Sequence, residues 1–284
     1  PTRRSLQLFL IKKEFEMKKS LFLILLSCIF ALANSLSQIK QSKVIRIAVY
    51  ENEPPFSRVT DNGFEGFDVE LANAIGGKIL GDTGGRIELI PVSAQARFPS
   101  IQNNQADMLI AAASVTEERK KNYEFSMPYL SVNSGVLTRK SDNIQKMSDL
   151  RGKKVGVIRG STGEAFMQKD GGYNLVYCKN SSDCYKRLKS GEIDGACDDN
   201  LFVMVYPVAD PSVEVNIKSL GENVFLGIAM QKGNADLAEA VNQALISLSK
   251  EGFFKKAYND TFEPFYKGTV DKKYFLLDDI YSFF

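Results

Sequence analysis

Between Val44 and Ala112 the sequence reads strand, helix, strand, helix, strand, and the same alternation returns between Lys154 and Cys197. Val44-Ile45-Arg46-Ile47-Ala48-Val49-Tyr50 is a strand, stopped by Pro54-Pro55. Phe67, Leu71, Ile75 and Ile79 then recur every fourth residue, an amphipathic helix ended by glycines. Arg86 to Pro91 reads as strand, Arg97 to Asn103 as helix and Asp107 to Ala112 as strand. The second unit has the strand Lys154 to Ile158, a tight turn into a helix from Glu164, a strand around Leu175 to Tyr177, the helix Ser182 to Ser190 and the strand Ile193 to Cys197. Such alternation implies α/β architecture: mainly parallel sheets covered by helices.

A further strand, Val224 to Met230, and a helical face of Leu237, Val241, Leu245 and Leu248 follow the second unit. They need a sheet to pack on, and we expect them to return to the first unit. This predicts a discontinuous first lobe, residues 44–133 and 222–284, and a second lobe, residues 134–221. Extended hinge strands near 131–136 and 218–223 would then flank a cleft. The alternative is one continuous doubly wound sheet. Residues 34–43 read as a polar linker.

The beginning of the chain reads as a targeting segment. Met17-Lys18-Lys19, the apolar run Leu21 to Phe30 and Ala31-Leu32-Ala33 give a charged start, a hydrophobic stretch and a small-x-small cleavage site, so 17–33 is expected to be a signal peptide. Residues 1–16, with four basic groups before Met17, are expected to be an upstream over-extension. Leu25-Leu26-Ser27-Cys28 also resembles a lipoprotein box, in which Cys28 would carry a lipid. Both routes lead out of the cytoplasm, and they differ in whether the product is free or anchored.

Removing residues 1–33 takes away six basic and two acidic residues and leaves 30 Lys+Arg against 32 Asp+Glu, a net charge of −2. Nothing in that balance points to nucleic acid. The chain has no histidine. Ser-His-Asp and Cys-His triads, zinc helices of the HExxH type and imidazole general bases are therefore excluded. Cys178 and Cys184 flank a short polar loop and could bridge, whereas Cys197 reads as a small buried apolar residue.

Ser114-Val115-Thr116-Glu117 and Ser161-Thr162-Gly163-Glu164 both fit capping boxes, one at a strand end in each unit. In open parallel sheets ligands bind beyond the carboxyl ends of strands, where helix N-termini present free N–H groups. Gly156, Gly160 and Gly163 miss the dinucleotide fingerprint by two residues in the first gap, and no glycine precedes the Lys-Ser/Thr of a phosphate loop. A small anion, best a carboxylate, remains, for which Arg119 could supply a bidentate fork. Asp198-Asp199-Asn200 closes the last strand of the second unit. Those acids either cap the next helix or face the cleft, where one would pair with an ammonium group.

The run from Val44 to about Lys267 resembles the periplasmic polar-amino-acid-binding proteins of ABC importers, the extracellular solute-binding family 3. The matching pieces are Arg46-Ile47-Ala48-Val49 with Pro55-Phe56, Gly66-Phe67-Asp68-Val69-Glu70-Leu71-Ala72, Ala106-Asp107, Ser114 to Arg119, Phe125 to Tyr129, Leu150 to Val157, Gly160-Ser161-Thr162 and Gly191 to Gly195, in the family's order. The resemblance implies a two-lobed periplasmic binding protein of type II. It implies Arg119 as the clamp on an α-carboxylate, with Ser114 and Thr162, and Asp199 and the Ala112 carbonyl on the α-ammonium. Tyr50, Glu53 and Arg97 fall where the family reads the ligand's side chain, and Phe56 would help wall the pocket.

Ala111 and Arg97 depart from the histidine binders and argue against a cationic ligand. Cysteine or cystine ranks first, with glutamate, aspartate or glutamine next. The resemblance implies a monomer without cofactor or metal that delivers its ligand to an ABC permease in the inner membrane. An enzyme on the same fold, like the periplasmic cyclohexadienyl dehydratases, with Glu53 as its acid, is the main rival, and a surface adhesin or sensor module is another.

Overall fold

The computed structural model describes residues 34–270 and 272–275. The expected leader and Cys28 lie outside the described residues. From the N-terminus come α1 (Leu36–Ser42), β1 (Val44–Tyr50), the short strands β2 (Asn52–Glu53), β3 (Ser57–Thr60) and β4 (Gly63–Glu65), and then α2 (Phe67–Leu80). β5 (Arg86–Val92), α3 (Arg97–Gln102), β6 (Met108–Leu109), α4 (Glu117–Asn122) and β7 (Tyr123–Phe125) complete the first stretch. The long strand β8 (Leu130–Arg139) leads to β9 (Lys154–Ile158), α5 (Thr162–Asp170), β10 (Asn174–Cys178), α6 (Ser181–Ser190), β11 (Gly195–Asp199) and α7 (Asn200–Val203). β12 (Val213–Leu226) then returns to β13 (Ala229–Gln231) and α8 (Ala235–Lys250).

These strands form two five-stranded sheets, β5-β1-β6-β13-β7 and β10-β9-β11-β8-β12, and a small sheet β2-β3-β4. In the first, β1 is parallel to both β5 and β6, and β13 runs antiparallel to its neighbours. In the second, β9 is parallel to β10 and β11, and β8 is the reversed strand. Each lobe is thus a mainly parallel sheet with one strand reversed. The largely apolar run of β1, interrupted at Arg46, follows from this, since a central parallel strand is covered by helices on both faces.

Helix packing follows the spacing of apolar residues. Phe67, Leu71, Ile75 and Ile79 of α2 are all buried, as are Leu237, Val241, Leu245 and Leu248 of α8. Both helices close the first lobe's core. Phe275 also packs there, against Tyr258 and Phe262 at ring-centroid distances of 4.7 and 4.8 Å.

Two strands connect the lobes. β8 and β12 pair antiparallel, and their register shifts three times, between Glu214 and Ile217, Ile217 and Leu220, and Leu220 and Val224. Such irregularities bend a ribbon where it must leave one sheet for another. Asn133 fixes the bend: its N–H donates to Asn200 Oδ1 at 3.2 Å, its Nδ2 to Asn223 Oδ1 at 2.9 Å, and its Oδ1 accepts from the Leu220 N–H at 2.6 Å.

Several expectations need correction. Residues 34–43, read as a linker, hold α1, because Ser35 and Gln38 form a capping box and Ile39 is buried. The strand expected over Val224 to Met230 is broken, since β12 ends at Leu226 and β13 begins at Ala229. The chain changes lobes there, and Gly227 is what fits: a Cβ would lie 2.9 Å from Val115 Cγ2. The strand expected over Asp107 to Ala112 keeps its pairing only at Met108–Leu109, and Ala112 adopts the left-handed conformation at φ 44°.

Cys178 and Cys184 are joined by a disulfide that ties the end of β10 to α6, with a Cα–Cα distance of 5.3 Å. Cys197 is a buried free thiol, and burial raises its pKa well above the ordinary value. Among the described residues no helix is long and apolar enough to cross a membrane.

Candidate functional site

The carboxyl ends of β1, β9 and β11 and the turn after β6 meet at one chamber. Tyr50, Arg97, Ala112, Ser114 and Arg119 line it from the first lobe, and Ile158, Ser161, Thr162, Asp198, Asp199 and Phe202 from the second. The chamber is shut to about 10 Å³, the space of a single water. Any larger guest enters only if the lobes part. Outside it lies an open vestibule of about 460 Å³, bounded by Phe98, Tyr123, Gln168 and the outer side of Arg119.

Arg119 forms the wall between the two spaces. Its guanidinium lies over the Phe98 ring, 4.7 Å from the centroid, which holds the plane upright. One nitrogen donates to the Ser114 carbonyl at 2.8 Å and the other to the Gly160 carbonyl of the opposite lobe at 2.9 Å. The group carries more N–H donors than these two carbonyls use. Burial, followed by the nearby Arg97, pulls its pKa down to about 10, against the opposing pull of Asp199.

On the other side stands Asp199, at the end of β11. Its Oδ1 accepts from Thr162 Oγ1 at 3.1 Å. Burial raises its pKa, opposed by Thr162, Arg97 and Arg119. Asp198 beside it is pushed up to about 7 by burial and by Asp199. Thr162 opens α5, whose first turn is fixed by Ser161: the Ser161 hydroxyl accepts the Glu164 N–H at 3.0 Å. The Glu164 carboxylate reaches the Gly160 N–H at 2.5 Å, one residue beyond the expected reciprocal bond.

The first capping box is different. Thr116, not Ser114, caps α4, its hydroxyl accepting the Arg119 N–H at 3.2 Å. Ser114 is buried and lies two residues earlier, bridged to Leu226 as a strand residue. Two hydroxyls two residues apart both fit a cap in sequence, and the bridge to the returning hinge strand selects the second.

Arg97 is buried at the start of α3 and turned to the main chain. Its Nε donates to the Ala94 carbonyl at 3.1 Å and one terminal nitrogen to the Ala111 and Ala112 carbonyls at 3.0 and 3.2 Å. It stacks over Tyr50, 4.9 Å from the ring centroid. The Ala112 carbonyl, expected to meet an ammonium, is thus already an acceptor for Arg97. Behind it Asp68 is buried, and burial raises its pKa well above the carboxylate range, with the Ala112 N–H opposing.

Two expected site residues do not line the chamber. Phe56 is fully buried behind it, packed on Phe202 and Phe262 at centroid distances of 4.7 and 5.1 Å. Phe202 of α7 forms the wall in its place. Glu53 points across the interlobe seam, where its Oε1 accepts the Ser181 N–H at 3.1 Å. The sequence did not mark Ile158, Ser161 or Phe202 as lining residues; the acidic pair Asp198-Asp199 was visible, and both members line the chamber.

Two guanidinium groups on one side and two carboxyl groups on the other, around a closed chamber between the lobes, give facing surfaces of opposite character. Among the described residues no group of His, Cys, Asp and Glu is arranged to hold a metal ion.

Comparison with known proteins agrees in fold. A solved structure described as the solute receptor for L-cysteine of Neisseria gonorrhoeae superposes with a TM-score of 0.79 at 32% identity, covering 84% of this chain and 97% of that one. The cysteine-binding protein of Campylobacter jejuni gives a TM-score of 0.78 at 29% identity, covering 83% and 96%. The ABC transporter glutamine-binding protein GlnH of Bacillus subtilis is 30% identical over 198 residues, 68% of this chain and 71% of that protein. Residues 45–264 match the model of the bacterial extracellular solute-binding proteins, family 3, and the chain belongs to that family.

Proposed function

We propose that the chain captures a polar L-amino acid outside the cytoplasm, L-cysteine in first place, and delivers it to an ABC permease. The observation that carries this reading is the placement of Arg119 and Asp199 on opposite lobes of one chamber. An α-carboxylate fits between Arg119 and the start of α5, where Ser161 and Thr162 line the chamber and a helix N-terminus favours an anion. An α-ammonium fits against Asp199. Closure excludes water from both pairs, which strengthens them.

Side-chain preference follows from Arg97 and from size. Arg97 gives Nε and one terminal nitrogen to main-chain carbonyls, which leaves its second terminal nitrogen for a polar side chain. The small closed chamber favours a short uncharged one over glutamate or aspartate. The similar structures named as an L-cysteine receptor and as a cysteine-binding protein support cysteine in first place. Glutamine and cystine rank next. Closure would be the signal that the permease reads, and the periplasm is the compartment in which it would do so.

The test is a thermal-shift screen of the twenty standard amino acids and cystine, followed by calorimetry on every hit. The expected result is stabilisation by L-cysteine and by few others. Stabilisation by none of them would remove the reading.

A further inference from the structure

A second polar cluster sits on the interlobe seam and touches the chamber only through Asp198, since neither Glu53 nor Ser181 lines it. Ser181, the first residue of α6, stands between two carboxyls from opposite lobes. Its N–H donates to Glu53 Oε1 of the first lobe at 3.1 Å, and its hydroxyl donates to Asp198 Oδ2 of the second at 2.5 Å. All three residues are buried. Ser181 also lies inside the loop closed by the Cys178–Cys184 disulfide, which pins it in place.

We propose that Glu53, Ser181 and Asp198 form a latch that takes up a proton as the lobes close, so that ligand capture strengthens as pH falls. The proposal rests on the capture reading above. One serine offers each carboxyl a single donor, and two buried carboxylates beside it repel one another. When the lobes part, Glu53 loses Ser181 and returns to water, where a carboxyl ionises freely. When they close, one of the pair must hold a proton drawn from solvent.

The surroundings favour the protonated form. Around Glu53 stand Asp198 and Tyr206 from the second lobe and Tyr50 and Arg97 from the first. Around Asp198 stand Asp199, Ser181 and Arg97, with the buried Cys197 next in the chain. Arg97 favours the charged forms, but burial outweighs it, and Arg97 is already bonded to three carbonyls. In the closed molecule Glu53 is pushed up to about 8, by burial first and Asp198 second, and Asp198 up to about 7. Closed lobes therefore bind more protons than open ones from the ordinary carboxylate range up to these values. Closure is favoured at low pH and weakens as pH rises through that window, by up to about tenfold in affinity per pH unit for one proton.

Calorimetry of the full chain at pH 7 in phosphate and in Tris, which differ in ionisation enthalpy, reads the proton directly. The probe is L-cysteine in oxygen-free buffer, then L-glutamine. Wild type is expected to take up about one more proton per bound ligand than Glu53→Gln, whose amide oxygen still accepts from Ser181. Asp198→Asn should lower the uptake in the same way. Protons exchanged by the ligand itself are common to all three proteins and cancel in the difference. Equal uptake in wild type and both variants overturns the latch and leaves the capture reading standing. Absence of binding heat with both probes in both buffers, together with no stabilisation by any amino acid in the thermal-shift screen, overturns the capture reading and the latch with it.

Discussion

The Arg119 guanidinium donates to the Gly160 carbonyl at 2.9 Å, and this bond joins the two lobes across the cleft. The same group faces the chamber, so one side chain both closes the cleft and presents the positive charge that a carboxylate would meet. Replacement by alanine removes both functions. Losing one partner of a buried charged pair costs about 2–5 kcal/mol. Arg119→Ala should weaken amino-acid binding by roughly 30-fold to several thousand-fold, measured by calorimetry. Arg119→Lys should fall between, because an ammonium keeps the charge and loses the planar fork.

Asp199→Asn keeps the shape of the site and an acceptor for Thr162 while removing the charge that an ammonium would meet. A loss of at least roughly 30-fold in affinity is expected. Thr162→Val removes only a hydroxyl, worth about 0.5–1.5 kcal/mol, or roughly 2- to 10-fold. Equal losses in the two variants would contradict the assignment of Asp199 to the ammonium.

Gly227 stands where β12 gives way to β13, and a Cβ there would also lie 3.3 Å from the Ser126 carbonyl. Gly227→Val adds still more volume at this crossing. Overpacking of this kind costs about 1–3 kcal/mol, to be read as a lower midpoint in urea with an unchanged slope.

The Cys178–Cys184 disulfide closes a loop with a sequence separation of 6. A short loop removes modest entropy from the unfolded chain, about 2 kcal/mol. The double variant Cys178→Ser, Cys184→Ser should unfold at correspondingly lower urea. An unchanged midpoint would mean that the bridge only orients the Ser181 loop.

The lobes were legible because their strands are short, largely apolar runs and their helices carry one apolar stripe. Leu237, Val241, Leu245 and Leu248 needed no tertiary information to be placed on a core. Arg119, Thr162 and Asp199 stood out because they lie at or after strand ends, where open parallel sheets present helix starts. What the sequence could not reveal lies in contacts between distant residues. Glu53 and Ser181 are 128 positions apart, and nothing local marks them as partners. Likewise Ser114 and Thr116 offer identical cap chemistry, and only the bridge from Ser114 to Leu226 separates their roles. Phe56 and Phe202 are both aromatic neighbours of turns, and packing order alone puts one behind the other.

The most direct test titrates L-cysteine, in oxygen-free buffer, into the wild-type chain and into Arg119→Ala. Saturable one-to-one binding by wild type, weakened at least roughly 30-fold in a folded variant, is the result expected. Binding of equal strength in both proteins would contradict the central claim that Arg119 holds the ligand's carboxylate.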